Sequence, residues 1–465
     1  MKLEARRPSA VAVALCALAI TTGAHAQSSG AKVIQWGWGE PTAPYVRDNI
    51  AAMEQKPFDG LSVMLRYGTS TTDTYLGYGH VFHTVPLAID DAVLQDDILA
   101  LQQTEFRNFT DNFTDLFINT HLFGDFVDWF DPRWSTYIDN VGVFAQAIRQ
   151  AGLVGFILDT EAYGDANIFN YEWQLRKGTY SFEQYRAQVR RRGEEFMDAV
   201  NAHFPEAKIL LTFGYGRLAW AQRTFGKPDD TYELLPAFLD GMLSRMTPSG
   251  TLIDGYENSY SFERAAQYQT GWDDVKVRGR TYSAEQTAFD RSYKVGFGNW
   301  TNYLGYMNNC ANKTAWIPDR PECNWFSPAA LRTTLCAALR RSESYVWMWS
   351  GTHPYPHWWK DENISPAYVQ AVRDAKALAS SSLSCDSVPA TATPLPTSQP
   401  TATRTPTTAP TQAPTLTPVP TNTPAPTQTP RPTATPRQKK RRSSLSAPTP
   451  TPGAETTSSE RLRRS

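Results

Sequence analysis

Between residues 32 and 351, short apolar runs rich in β-branched and aromatic residues alternate with stretches of helical periodicity. That alternation predicts a repeated strand-then-helix unit. The runs are KVIQWGWG (32–39), GLSVMLR (60–66), TDLFINTH (114–121), LVGFILDTE (153–161), KILLTFGYG (208–216), TLIDGYEN (251–258), YKVGFGNW (293–300) and SYVWMWSG (344–351). Eight parallel strands are what a closed barrel requires. Helices are expected at APYVRDNIAAMEQ, WSTYIDNVGVFAQAIRQAG, SFEQYRAQVRRRGEEFMDAVNAHF and SPAALRTTLCAALRRSE, with Gly152 as a helix stop leading into the fourth strand. The competing topology is a doubly wound open sheet, which would carry a glycine-rich phosphate turn after its first strand. WGWGEPTAP is a poor version of that turn, because Pro41 and Pro44 stand where helix amides should face a phosphate. The expected fold is therefore α/β, a (β/α)8 barrel with inserted loops.

Both ends of the chain depart from this pattern. Residues 1–26 read as a removed signal peptide: Lys2, Arg6 and Arg7 precede the short apolar core AVAVALCALAI and the small-x-small site AHA. That core is too short to span a membrane, and Leu15 before Cys16 does not suit a lipoprotein site. From 386 to 465 Thr and Pro dominate, which predicts a disordered extended stalk ending in the basic patch RQKKRR. Such a stalk offers a route to cell-wall or surface association. Residues 27–385 are left as the folded catalytic domain, with all 14 Trp. A formal net charge of −1 points to no nucleic-acid partner. Four cysteines remain after Cys16, an even set in an exported chain, with Cys310 and Cys323 the expected local pair. Their spacing matches no zinc site, so no metal and no cofactor is expected.

In a parallel barrel the chemistry sits at the carboxyl ends of the strands. Those ends carry Trp36, Trp38 and Glu40; Arg66; Asn119 and His121; Asp159 and Glu161; Thr212 and Tyr215; Tyr256, Glu257 and Asn258; Asn299 and Trp300; and Trp347, Trp349 and His353. Asp159 and Glu161 lie two apart on one strand, so they share a face, and ionised carboxylates are costly to bury without partners. Carboxylates on different strands across an aromatic mouth suit acid-catalysed cleavage of a sugar acetal. Glu161 is the candidate acid, tuned by Asp159, and Glu257 the candidate nucleophile or base. Trp36, Trp38, Tyr215, Tyr256, Trp300 and Trp349 are candidates for stacking on sugar faces, and Arg66, Asn119 and His121 for bonding hydroxyls. The alternative for Asp159 and Glu161 is a structural pair, one bridged to an Arg and the other capping the next helix; Glu257 would then support a polar loop.

The chain resembles the glycoside-hydrolase-like (β/α)8 barrels over residues 27–385. FILDTE is similar to the fourth-strand D-x-E ending of chitinase-like barrels, whose final Glu is the acid and whose Asp assists; this implies those roles for Glu161 and Asp159. DGYEN more weakly resembles those barrels' sixth-strand Tyr and acidic residue, matching Tyr256 and Glu257. The longer aspartate series is missing, since Gly155 and Ile157 precede Asp159, which makes substrate-assisted cleavage of N-acetylated glycans the alternative. The expectation is a secreted glycoside hydrolase acting on an extracellular poly- or oligosaccharide. A non-catalytic carbohydrate-binding barrel is a further alternative. A metal-dependent hydrolase using His80, His83, His121 and Asp125 is less favoured, because the spacing is wrong for a helix-borne pair.

Overall fold

The computed structural model describes residues 30–37, 40–66, 91–118, 126–162, 167–227, 229–303, 310, 316–350, 358–360 and 363–387. The strands are β1 (Lys32–Gly37), β2 (Gly60–Leu61), β3 (Phe113–Phe117), β4 (Gly155–Asp159), β5 (Lys208–Leu211), β6 (Thr251–Asp254), β7 (Tyr293–Val295), β8 (Phe297–Trp300) and β9 (Tyr345–Ser350). All ladders are parallel, in the orders β2-β1-β9-β8 and β3-β4-β5-β6-β7. Two junctions join these arcs into a ring. Ser62 bridges Phe113 between β2 and β3, and the Val63 amide donates to the Phe113 carbonyl at 2.8 Å. β7 and β8 are one strand interrupted at Gly296, whose amide still donates to the Asp254 carbonyl. The result is a closed (β/α)8 barrel, and the β1–β9 ladder from Lys32↔Tyr345 to Gly37↔Ser350 rules out the open sheet.

The helices are α1 (Ala43–Met53), α2 (Asp91–Gln102), α3 (Trp134–Gln150), α4 (Phe182–His203), α5 (Tyr215–Phe225), α6 (Leu235–Arg245), α7 (Ala265–Asp273), α8 (Gln286–Ser292), α9 (Pro328–Arg341) and α10 (Pro366–Ala379). Their starts are written locally. Ser181 and Gln184 form a reciprocal capping box on α4, and Ser327-Pro328 and Ser365-Pro366 cap α9 and α10. At the end of α3, Gly152 takes φ +74°, and Leu153 donates back to the Ile148 carbonyl before β4 begins. Two connections exceed the simple repeat: α5 follows β5 directly and packs on residues 274–282, while α6 packs against α4. Inserted structure thus accumulates after β5 and β6, beside the strand ends that matter below.

The cysteines pair as Cys310–Cys323 and Cys336–Cys385. Among the described residues no helix is long and apolar enough to cross a membrane. The leader and nearly all of the Thr/Pro segment lie outside the described residues. Cys336–Cys385 ties α9 to the segment after α10 across 49 positions. Closing a loop of that length restricts the unfolded chain by roughly 4 kcal/mol. Replacing both cysteines by Ala should lower denaturant stability by a figure of that order; an unchanged unfolding midpoint would contradict the role.

Candidate active site

Side chains alternate along each strand, so every second residue enters the barrel. Ile34, Trp36, Phe113, Ile157, Leu210, Ile253, Tyr345 and Trp347 form a separate interior cluster, apart from the core between strands and helices. The same inward rows continue toward the carboxyl ends as Asp115 on β3, Asp159 on β4 and Thr212 after β5. At the opposite end the interior is closed by Asp111, which is salt-bridged to Lys32 and Lys208 and accepts from Tyr345 and Thr110. Burial alone would raise the Asp111 carboxyl, but those donors hold it well below the ordinary range.

The D-x-E segment is fixed by the neighbouring strand. Asp159 is buried, and one of its oxygens accepts from the Glu161 amide at 2.8 Å and the Thr212 hydroxyl at 3.0 Å. Thr160 clasps β5 from the other side, donating its amide to Thr212 and its hydroxyl to the Phe213 carbonyl. Asp159 thus sets the turn that presents Glu161, which is half-buried at the mouth. Tyr232 closes this turn by accepting from the Ala162 amide at 2.9 Å.

Glu257 reaches the same place by a backbone device. Tyr256 has φ +41°, the only positive φ on a non-glycine among the described residues, and its amide is caught by Asp254. A Tyr held there costs on the order of 1–3 kcal/mol, and such strain gathers at functional sites. The left-handed turn sends Tyr256 outward, where its hydroxyl donates to Asp274 at 2.6 Å, and hands the Glu257 amide to the Thr212 carbonyl. Oε2 of Glu257 is buried, with no hydrogen-bond partner among the described residues. Burial first, then the nearby charges of Glu161 and Asp159, push the Glu257 carboxyl well above the usual range, against a smaller pull from Arg217. Arg217 itself is bonded to Asp229 and stands over the rings of Phe213, Trp220 and Tyr232 at 4.9, 4.6 and 5.3 Å. Tyr260, beside the three carboxylates, packs 5.4 Å from Trp300 and 5.1 Å from Trp347.

A second carboxyl pair lies within the same end of the barrel. Glu40, at the end of β1, and Asp115 are 6% and 1% exposed, and their carboxyl groups face each other. Burial, then Asp115, raises the Glu40 carboxyl well above its ordinary value. Burial, together with the charge of Asp159, raises Asp115 to about 7, against smaller lowering influences from Glu40 and the Trp36 indole.

The structure therefore brings Asp159, Glu161 and Glu257 together, with Trp300 and Trp349 half-buried nearby on their strand ends. Several expected contacts fall elsewhere. Tyr215 is fully buried with its hydroxyl on Asp240, and Tyr256 is turned away as described. Strand alternation extended to these positions puts both at the mouth, but the chain has already turned there. Arg66 is bound to Asp97 of α2 through its fork and its amide, and so supports that helix. Trp36 is an interior packing residue, 5.1 Å from Trp347 and 4.9 Å from Trp349. Trp38, Asn119, His121 and His353, like His80, His83 and Asp125, lie outside the described residues. Asp115, Arg217, Tyr232 and Tyr260 were not anticipated. Asp115 alone had a signal, an acidic residue inside an apolar strand.

No protein-family model matches the chain, and no curated protein matches it. Solved structures similar to it include a glycoside hydrolase family 5 enzyme from Prevotella bryantii B14, with 10% identity, TM-score 0.41, and coverage of 76% of this chain and 97% of that one. A family 5 lichenase from Caldicellulosiruptor sp. F32 gives 10% identity and TM-score 0.42, over 74% and 92%. The 3-keto-D-glucoside 4-epimerase of E. coli gives 12% identity and TM-score 0.38, over 75% and 99%.

The raised carboxyls make stability depend on pH in a definite sense. Glu40, Asp115, Asp254 and Glu257 all hold protons more tightly folded than unfolded, Asp254 ionising at about 6. The stability they give is present below pH ~4 and is lost as pH rises through their folded values, by about 1.4 kcal/mol per pH unit for each proton retained. Asp111 acts oppositely, its contribution being lost as pH falls below ~4. Denaturant unfolding should therefore show a lower midpoint at pH 7.5 than at pH 5, with a shallower fall in Asp115→Asn. A midpoint that rises over this interval would contradict the assignment.

Proposed function

We propose that the chain is an exported glycoside hydrolase that cleaves an extracellular poly- or oligosaccharide with Glu257 and Glu161 as its two catalytic carboxyl groups. The observation that carries this reading is the Glu257 carboxyl, buried and unpaired at Oε2 under the charges of Glu161 and Asp159. Acetal cleavage needs one carboxyl that keeps its proton near neutral pH and one that stays ionised opposite it. Burial favours Glu257 as the proton donor to the leaving oxygen. Glu161, half-exposed on a turn pinned by Asp159, suits the anion that meets the oxocarbenium-like centre as nucleophile or base. This reverses the roles expected from the D-x-E resemblance. Tyr260, Trp300 and Trp349 supply ring faces for a pyranose, and the carboxyl excess disfavours a polyanionic substrate. The Thr/Pro segment would serve as a spacer between this domain and a cell surface.

The test is hydrolysis of a panel of plant, fungal and bacterial polysaccharides by the wild type, Glu161→Gln and Glu257→Gln. One glycan should be cut, and each variant should lose about 100-fold or more in rate with the fold intact. Glu257→Gln should retain most of its activity on aryl glycosides whose leaving group needs no proton. Loss in Glu161→Gln alone would favour substrate-assisted cleavage, and binding without cleavage would reduce the chain to a carbohydrate-binding barrel.

A further inference from the structure

Two buried carboxyl groups, Glu40 and Asp115, have no part in the two-carboxylate chemistry of Glu161 and Glu257. Asp115 points into the barrel from β3, its Cα level with Ile157 and hence one pleat below Asp159 on the adjacent strand. Glu40 meets it from the end of β1, where Thr42 bridges Met64 and brings that segment beside Ser62. Around the pair stand the Trp36 indole and Ser62, and, on β4, Asp159. Among the described residues no Lys or Arg forms a salt bridge with either carboxyl, in contrast to Asp111 at the far end with its two lysines. Ser62 and Asp115 face Glu40, yet neither Glu40 oxygen nor Oδ1 of Asp115 reaches full hydrogen-bonding geometry. Two bare carboxylates at 6% and 1% exposure, with no cation beside them among the described residues, are not tolerable in a low-dielectric interior.

We propose that Glu40 and Asp115 are positioning residues of the candidate site, a carboxyl pair that shares one proton directly beneath Asp159 and so fixes the negative charge under the catalytic carboxyls. Its use in catalysis rests on the glycosidase reading; its existence does not. Glu40 carries the proton and faces Asp115, beside which the Trp36 indole also stands. Asp159 passes the effect upward, through its contacts with Thr212 and the Glu161 amide and through its charge on Glu257, which Arg217 partly offsets. Removing the shared proton at higher pH places a second negative charge beneath Asp159 and the carboxyl groups above it.

The test is a carboxyl-carbon NMR titration of the full chain, selectively labelled at Asp and Glu, for wild type, Asp115→Asn and Glu40→Gln. In the wild type the Glu40 and Asp115 carbons should share the same inflections, the upper one in the neutral range. In Asp115→Asn, Glu40 should show a single inflection and Asp159 should ionise at least about half a pH unit lower. Glu40→Gln keeps the shape of the pair and serves as the second variant if Asp115→Asn does not fold. Separate titration of Glu40 and Asp115 in the ordinary carboxylate range overturns the proposal, as does an Asp159 midpoint unmoved in both variants. No substrate is needed, so a chain that cuts no glycan yet titrates in this way would remove the glycosidase reading and leave the pair standing.

Discussion

The cost of placing carboxyl groups inside a barrel of parallel strands governs both ends of this molecule. Period-two alternation commits every second residue of each strand to the interior, and the inward rows end in acids above and below the apolar layer of Ile157, Leu210 and Ile253. A buried carboxylate must be paired, hydrogen-bonded or protonated. At the amino end Lys32 and Lys208 pair Asp111. At the carboxyl end no comparable lysine is described, and Glu40, Asp115 and Glu257 are driven toward their protonated forms. One end is neutralised by cations, the other by protons.

Holding that proton-rich end together requires more than the strands. The Thr160–Thr212 clasp locks the ends of β4 and β5, and the Thr212 carbonyl receives the Glu257 amide from β6. Three consecutive strand ends are thereby tied through one threonine. The left-handed Tyr256 makes the third tie possible, and Asp274 rewards it by accepting the Tyr256 hydroxyl while Arg223 and Arg278 neutralise that aspartate. Asp254 collects the Gly216 and Tyr256 amides and the Tyr293 hydroxyl, fixing where the chain leaves β6. Gly214 allows this convergence, since a Cβ there would lie 2.1 Å from the Tyr293 hydroxyl.

Much of this was legible in the sequence. Each of the eight apolar runs overlaps a strand of the ring, because β-branched and aromatic runs bounded by turns have few other uses. Cys310–Cys323 and the Gly152 stop were readable from spacing and from the φ requirement. The D-x-E pair and Glu257 converge because strand ends in a barrel face a common mouth. The failures share a cause: alternation says nothing of where a strand stops. Runs read through to 216 and 258 in fact turn near Thr212 and Gly255, which sends Tyr215 and Tyr256 into the shell. Arg217, Tyr232 and Tyr260 lie on the segments that follow those turns, where no periodic signal places a side chain. Asp115 is an acidic residue within the third apolar run, four and six residues before the Asn119 and His121 that end it.

Proton donation by Glu257 requires that its carboxyl keep its proton at a pH where an ordinary carboxylate has lost it. Infrared spectroscopy of the intact chain at pH 6 reads this directly, because a protonated carboxyl group absorbs apart from a carboxylate. The predicted result is a protonated-carboxyl band in the wild type, part of which disappears in Glu257→Gln while the fold is retained. A spectrum at pH 6 without such a band, or one that Glu257→Gln leaves unchanged, would contradict the account.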